Sequence, residues 1–474
     1  MASPARTGWR TVRGFLILIA IYLVVTQLLP RPQAITPNAW NLTGLFLATV
    51  AGLVIQPVAG GALVLLAITL STLLAGMKLS DALGGYADST VWLVMAAFFV
   101  SRALINTGLA RRIALGFVRL FGRSTLGVSY ALSLSDMVLA TIIPSNGARS
   151  GGVILPIVRS IAELYGSTPG ATANRVGAFL MAGVYQAICV TAAMFYTGQA
   201  SNPLAAQMAG NLGYRITWGG WLVAGIVPGL VSLALVPWVV LRLFPPEVKH
   251  TPEAAAFAHT ELVKMGPLSR NEKLLSLVFA GVCGAWVSSS WTGIDITVAA
   301  LLGSLALLLT GVLQWEDIIN EKAAWDIFIW YGGLLRLGRA LNEQGVTEVF
   351  AKTVGARFEG LGWLSLLVIA VLICYYSHYF FASITAHMLA MYAPFLALLA
   401  HSGAPLPLAV FSLACCLNLS AGLTNYGTTP APMFFGQGYV SMKDWWRIGF
   451  VISLCHLAVW GGVGFAWWKF LGLW

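Results

Sequence analysis

Apolar stretches long enough to cross a bilayer as helices, about 20 residues each, recur along this chain from near its start to its end. Nothing else in the sequence restricts the fold as much. Without water, a backbone can satisfy its own amides and carbonyls only as a helix or a closed barrel, and runs of this length read as helices. With 58% hydrophobic and 9% charged residues among 474, the chain could not cover a water-facing surface. No polar block between the runs is large enough for a separate soluble domain. The expected fold class is an all-α integral membrane protein.

Spanning helices are expected at about 12–29, 40–57, 60–77, 89–107, 173–197, 217–244, 273–290, 293–313, 323–342, 404–424 and 445–470, about 11 transmembrane helices in all. Two further apolar stretches, about 126–163 and 361–400, are too long for one crossing and carry polar residues at their middles. Each reads as a re-entrant hairpin, whose non-helical tip is tolerated at membrane depth only where protein surrounds it.

Arg6, Arg10 and Arg13 precede the first run, and no small-residue cleavage site closes it, so it reads as a retained helix with a cytoplasmic N-terminus. Segment 245–273 holds four acidic and four basic residues, the mark of a cytoplasmic linker. The expected units are then a tail and first helix (1–39), a first repeat (40–244), the linker (245–273) and a second repeat (274–474).

The two long units share landmarks in the same order. Arg102, Ala103, Leu104 and Gly108 recur as Arg339, Ala340, Leu341 and Gly345, a shift of 237. Ser145, Asn146, Gly147 and Ala148 fall opposite Ser383, Ile384, Thr385 and Ala386 at a shift of 238, which sets Arg149 on His387. "TGQASNP" (197–203) matches "TNYGTTP" (424–430) at a shift of 227. An odd number of crossings per unit would invert the second unit in the membrane, and inverted repeats with broken helices mark secondary transporters.

Each unit also offers two places for a helix to begin inside the membrane. Asn202 with Pro203 and Thr429 with Pro430 pair a capping side chain with a proline, and Ser145 and Ser383 put hydroxyl caps at the hairpin tips. Helix starts present free amides and partial positive charge, which suits a carboxylate or phosphate. The hydroxyls and amides around them include Ser145, Asn146, Ser201, Asn202, Ser383, Thr385, Thr424, Asn425, Thr428 and Thr429. A small anion with several carboxylates is the expected cargo.

Arg149 is a cation where insertion costs at least about 2.5–3.5 kcal/mol. It either pairs with Asp136, thirteen residues earlier, or attracts the cargo, as His387 would from the other unit. His378 and His456 read as lone helix-packing histidines. The six cysteines read as buried small hydrophobes, and with no C-x-x-C pair or histidine at ligand spacing, no metal centre and no cofactor are expected. No carboxylate pair or nucleophile with its base sits at membrane depth, so the chain is not expected to be an enzyme.

"IPSNGARSGGVILPI", "ASITAHMLAMYAP" and "TNYGTTPAP" resemble the paired hairpin signatures, and the segment after the unwound tenth helix, of the divalent anion:sodium symporter family. More narrowly they resemble its bacterial and chloroplast dicarboxylate exchanger branch, the 2-oxoglutarate/malate and citrate/succinate antiporters. The resemblance implies an eleven-helix protomer, two inverted-topology repeats, an inward hairpin at 126–163 and an outward one at 361–400, a homodimer and an elevator-type movement. It places the cargo site at Ser145, Asn146, Gly147, Ser383 and Thr385, faced by Asn202, Pro203, Thr428, Thr429 and Pro430.

Sodium-coupled members of that family read Ser-Asn-Thr at both tips, whereas here Gly147 and Ile384 stand where Thr and Asn would be. One sodium site thereby loses a polar ligand, leaving at most a residual site near Ser145 and Asn146. Arg149 and His387 could supply the missing charge permanently, and a site whose cation cannot leave favours obligatory exchange. The expected function is sodium-independent antiport of di- and tricarboxylates across a bacterial cytoplasmic membrane. The alternative is a sodium- or proton-coupled symporter. The expected partners are those anions, the lipid bilayer and a second copy of the chain, with no nucleic acid.

Overall fold

The computed structural model describes residues 4–358 and 360–474. The side chains of Arg6 and Arg10, two of the three arginines behind the expected cytoplasmic N-terminus, lie outside the described residues. Among the described residues there are helices throughout and no strands, only an isolated bridge between Ser124 and His250. The protein is an all-helical integral membrane protein: ten of its described helices are long and apolar enough to cross a membrane.

The differences from the expected spans have a composition behind them. Gly60–Leu74 and Ile296–Leu309 are apolar but shorter than a full crossing. Lys322–Glu343 has the length but carries Asp326, Arg336 and Arg339 inside it. The two arms of the second broken stretch, Trp363–Phe380 and Ile384–His401, are each long enough to count as a span by themselves.

Both stretches expected to break do so at the polar residues. Thr125–Ala140 gives way to a short turn, and helix resumes at Asn146–Arg149, passes through a π-turn at Ser150–Ile154 and continues as Leu155–Leu164. Ser150 and Leu155, at the two junctions, keep right-handed helical dihedrals, so the second arm is one continuous helix with a π-bulge at its glycines. In the later stretch Trp363–Tyr376 ends in a 3₁₀ turn, Ser377–Phe380, and Phe381 is extended before Ile384–His401 begins.

At the centre lies Gly177–Met194, buried along its whole length. A helix apolar all round can sit only inside protein or lipid, and "GAFLMAGVYQAICVTAAM" has no polar face. Leu406–Leu419 is nearly as enclosed. Each of these two helices runs into an unwound segment: Phe195 and Thr424 turn to extended dihedrals, and helix resumes at Ser201 and Pro430.

Two amphipathic helices lack the apolar length that marks a span and so were absent from the sequence expectation. Leu109–Phe121 and Val346–Gly355 follow Gly108 and Gly345, which turn the chain at φ +79° and +74°, a region where side chains are strained. Segment 245–273 folds in part, as helix Pro252–Lys264. It packs on Leu109–Phe121, where Arg111 pairs with Glu261 at 2.9 Å and Arg112 with Glu272 at 2.6 Å.

Candidate functional site

The first tip is built by Ser145, whose Oγ accepts from the Ala148 amide at 3.1 Å and so caps the second arm. Asn146 follows and donates from Nδ2 to Thr428 Oγ1 at 3.1 Å, joining the tip to the later unwound segment. Gly147 abuts Thr429 so closely that a Cβ there would stand 2.9 Å from the Thr429 methyl. At the second tip Ser383 Oγ accepts from the Ala386 amide at 3.4 Å, the longer and weaker cap.

These pieces converge on one cavity of about 280 Å³, near the lower end of the roughly 300–1,000 Å³ usual for small-ligand pockets. Ser145, Asn146, Ser383, Thr385, Thr428 and Thr429, all expected from sequence, line it. Residues not expected line it too: Gln56 and Gly60, Phe98, Gln199, and Asp326 with Trp330. No lysine, arginine or histidine is among the described lining residues, and Asp326 is the one carboxylate.

Asp326 reaches the cavity wall from Lys322–Glu343 and lies against the first turn of Gly60–Leu74. A Cβ at Gly61 would meet its Oδ1 at 2.8 Å, so only glycine lets the carboxylate approach that helix start. Negative charge is favoured there. Gln56 closes the preceding helix with φ +50°, the one described non-glycine residue at positive φ. Such dihedrals cost free energy and persist where surrounding structure enforces them.

Several expected site residues are placed elsewhere. Asn202 is not a cap facing a cargo: helix starts one residue earlier, and its Nδ2 turns back to the Ala192 and Phe195 carbonyls, both at 2.8 Å. Its Oδ1 accepts from Asn418 at 2.8 Å, so the side chain is spent stitching the unwound segment to Leu406–Leu419. Pro203 and Pro430 are buried beside the site without lining the cavity. Ser201 and Thr424 are likewise buried away from it, and Asn425 accepts from the Trp446 indole at 3.1 Å.

Of the two roles open to Arg149, the structure shows the pairing with Asp136 and not a cation aimed at the cavity. It is fully buried outside the cavity lining, with Nε donating to Asp136 Oδ1 at 2.9 Å and Nη1 to the Ile143 and Gly198 carbonyls, both at 2.7 Å. Thr191 completes the acceptor side by donating to Asp136 Oδ2. The guanidinium is neutralised inside its own hairpin, and it clamps the end of the first arm to the unwound segment after Gly177–Met194.

His387 is also outside the cavity lining, so its expected role beside the cargo is corrected in the same way. Its Nδ1 lies 2.8 Å from Nδ1 of His378 and its Nε2 lies 2.8 Å from Ser377 Oγ. His378 is therefore not the lone histidine the sequence suggested. His456 does make a helix-packing bond, to Tyr375 at 3.1 Å.

With this geometry in view, the comparisons with known proteins are direct. The family model described as the sodium:sulfate symporter transmembrane region matches residues 10–474. The chain belongs to that family. It is therefore a membrane transporter and not an enzyme. YflS of Bacillus subtilis (strain 168) is 43% identical over 461 residues, covering 97% of this chain and 96% of the relative. Dicarboxylate transporter 1, chloroplastic, of Arabidopsis thaliana is 41% identical over 477 residues, covering 99% and 86%. The solved structure of the Alcanivorax borkumensis YdaH transporter matches with TM-score 0.54 at 13% identity, covering 98% of both chains, a likeness of fold alone.

Proposed function

We propose that the protein is a secondary carrier of di- and tricarboxylates, the malate, succinate, 2-oxoglutarate, tartrate and citrate class, working by sodium-independent exchange across the cytoplasmic membrane. The observation that carries this is the cavity itself. Two capped helix starts from separate parts of the chain, together with Thr428 and Thr429, bring hydroxyls and a side-chain amide to one small volume. Such donors replace the water stripped from a carboxylate. The relatives support the cargo class, one named for dicarboxylates and YflS bearing a name that proposes malate.

Gly147 and Ile384 support sodium independence, because neither brings a side-chain oxygen to a tip. Arg149 no longer supports exchange through fixed charge, since Asp136 already balances it. What supports exchange is the resemblance of the hairpin motifs to the dicarboxylate exchanger branch. The reading includes inverted repeats at 40–244 and 274–474 joined by a cytoplasmic linker, an inward first hairpin, an outward second one, a cytoplasmic N-terminus, a homodimer and elevator movement. The sequence landmarks and the hairpin resemblance support these.

One observation favours the second reading, a proton- or sodium-coupled symporter. Asp326 puts a carboxylate into the wall of a cavity meant for anions, and a bound proton or cation would relieve that repulsion. Counterflow separates the two. Proteoliposomes loaded with unlabelled succinate and free of sodium should take up external labelled succinate, while unloaded ones should not. Net uptake into unloaded vesicles that needs a sodium or proton gradient would replace exchange by symport.

Asn146→Ala tests the site directly. Its amide both faces the cavity and holds Thr428, so KM for succinate should rise about tenfold, the scale of one to two lost hydrogen bonds. Melting in detergent should hardly change, and a wild-type KM would remove Asn146 from the site.

A further inference from the structure

The sequence match at a shift of 238 sets His387 where Arg149 stands in the first repeat. In the first repeat one guanidinium reaches both the end of the inbound arm, at the Ile143 carbonyl, and the unwound segment, at the Gly198 carbonyl. An imidazole is shorter and has two nitrogens, so it cannot span the same gap alone. The second repeat fills it with two rings in series. His387 Nδ1 meets His378 Nδ1 at 2.8 Å, and His378 Nε2 meets the Gly427 carbonyl, in the later unwound segment, at 2.8 Å.

A carbonyl can only accept, so His378 Nε2 carries the hydrogen there. With both rings neutral, His378 Nδ1 is then the acceptor, His387 Nδ1 donates to it, and His387 Nε2 accepts from the Ser377 hydroxyl at 2.8 Å. The direction of the bond between the two rings follows from that last carbonyl, while the single Ser377 hydrogen also faces the Cys374 carbonyl at 3.2 Å. Both rings are fully buried, and Phe381 stacks on His387 with centroids 4.4 Å apart, holding its plane. A Cβ at Gly427 would stand 2.7 Å from the Ala421 carbonyl oxygen and 2.8 Å from His378 Nε2, so both neighbours require glycine there.

We propose that His378 is a positioning residue for the cargo, the last link of a His387–His378 relay that holds the Gly427 carbonyl and so presents Thr428 and Thr429 to the cavity. The relay does for the second hairpin mechanically what Arg149 does for the first, without a net charge. It rests on the reading of the cavity as a dicarboxylate site. Neither histidine touches the cargo, and each acts through the segment it holds.

The experiment is labelled-succinate exchange by the full-length protein in proteoliposomes, with KM and Vmax separated. His378→Ala should raise KM about tenfold with Vmax within about twofold, the effect of one lost hydrogen bond on a binding segment. His378→Gln, whose amide can donate to the same carbonyl, should return KM to within about threefold of wild type. Should His378→Ala not fold, His378→Asn takes its place, its amide being too short to reach. An unchanged KM in His378→Ala overturns the proposal. So does a folded His378→Gln no better than His378→Ala or His378→Asn, which would mean that the bond to the Gly427 carbonyl does not set KM. If the wild type itself exchanges no succinate, it is the cargo reading that fails, and a normal wild type with a normal His378→Ala sinks the relay alone.

Discussion

Arg149→Ala should abolish transport and lower the melting temperature of the purified protein sharply. The change strands Asp136, fully buried and ion-paired among the described residues with Arg149 alone, and an unpaired buried charge of this kind costs about 3–5 kcal/mol. It also leaves the Ile143 and Gly198 carbonyls without the donor that ties them together. Those two losses can be told apart. Adding Asp136→Ala removes the stranded charge, so the double variant should melt close to wild type. Its exchange should return only in part, because the first tip and the unwound segment are still unclamped. Thermal shift and succinate exchange on the same preparations read the two effects. A single Arg149→Ala variant that melts and transports like wild type would show that the pair holds nothing together. A double variant as unstable as the single would put the cost in the lost carbonyl bonds.

Much of this was legible in the sequence, for a physical reason. Apolar runs betray helices because lipid leaves the backbone no other way to pair its polar groups. Hairpin tips stand out because serine, asparagine and glycine there interrupt a pattern that has no other cause to break. Ser145, Asn146, Ser383 and Thr385 stood out by that signal, and Thr428 and Thr429 by the capping residue set before Pro430. The Asp136–Arg149 pairing was visible too, since a buried cation needs an anion and only a few lie near in sequence.

What stayed hidden depends on tertiary proximity. Gln56 and Asp326 lie far from both tips in sequence, on helices whose patterns give no hint that their ends meet the cavity. Asn202 beside Pro203 reads as a helix cap, and local sequence cannot say that the amide turns back to Ala192 and Phe195. His378 looked solitary because its partner lies across a helix break, where helical spacing no longer tells which side chains meet. The amphipathic helices Leu109–Phe121 and Val346–Gly355 were passed over by a search tuned to bilayer length. Their arginines and lysine opposite buried leucine, valine or alanine positions were the available signal.

Gly147→Thr should eliminate transport at any sodium concentration, although it rebuilds the Ser-Asn-Thr tip that the family resemblance associates with sodium coupling. The position is filled from the other side: a Cβ at 147 would stand 2.9 Å from Thr429 Cγ2 and 3.1 Å from its Cβ. Threonine is stiff at χ1, so neither residue can swing clear. Overpacking of this kind typically costs about 1–3 kcal/mol, and here the strain falls on the two segments that form the cavity. Thr429→Gly clears both contacts, and the double variant should regain measurable succinate exchange. Sodium titration of that double variant then carries the larger consequence. Stimulation by sodium, absent from the wild type, would mean that a side chain at residue 147, crowded out by Thr429, is what sodium coupling needs. Exchange restored without any sodium effect would turn attention to Ile384, whose side chain brings no oxygen to the second tip. A Gly147→Thr single variant with a wild-type KM would remove the close approach of residue 147 and Thr429 from the account altogether.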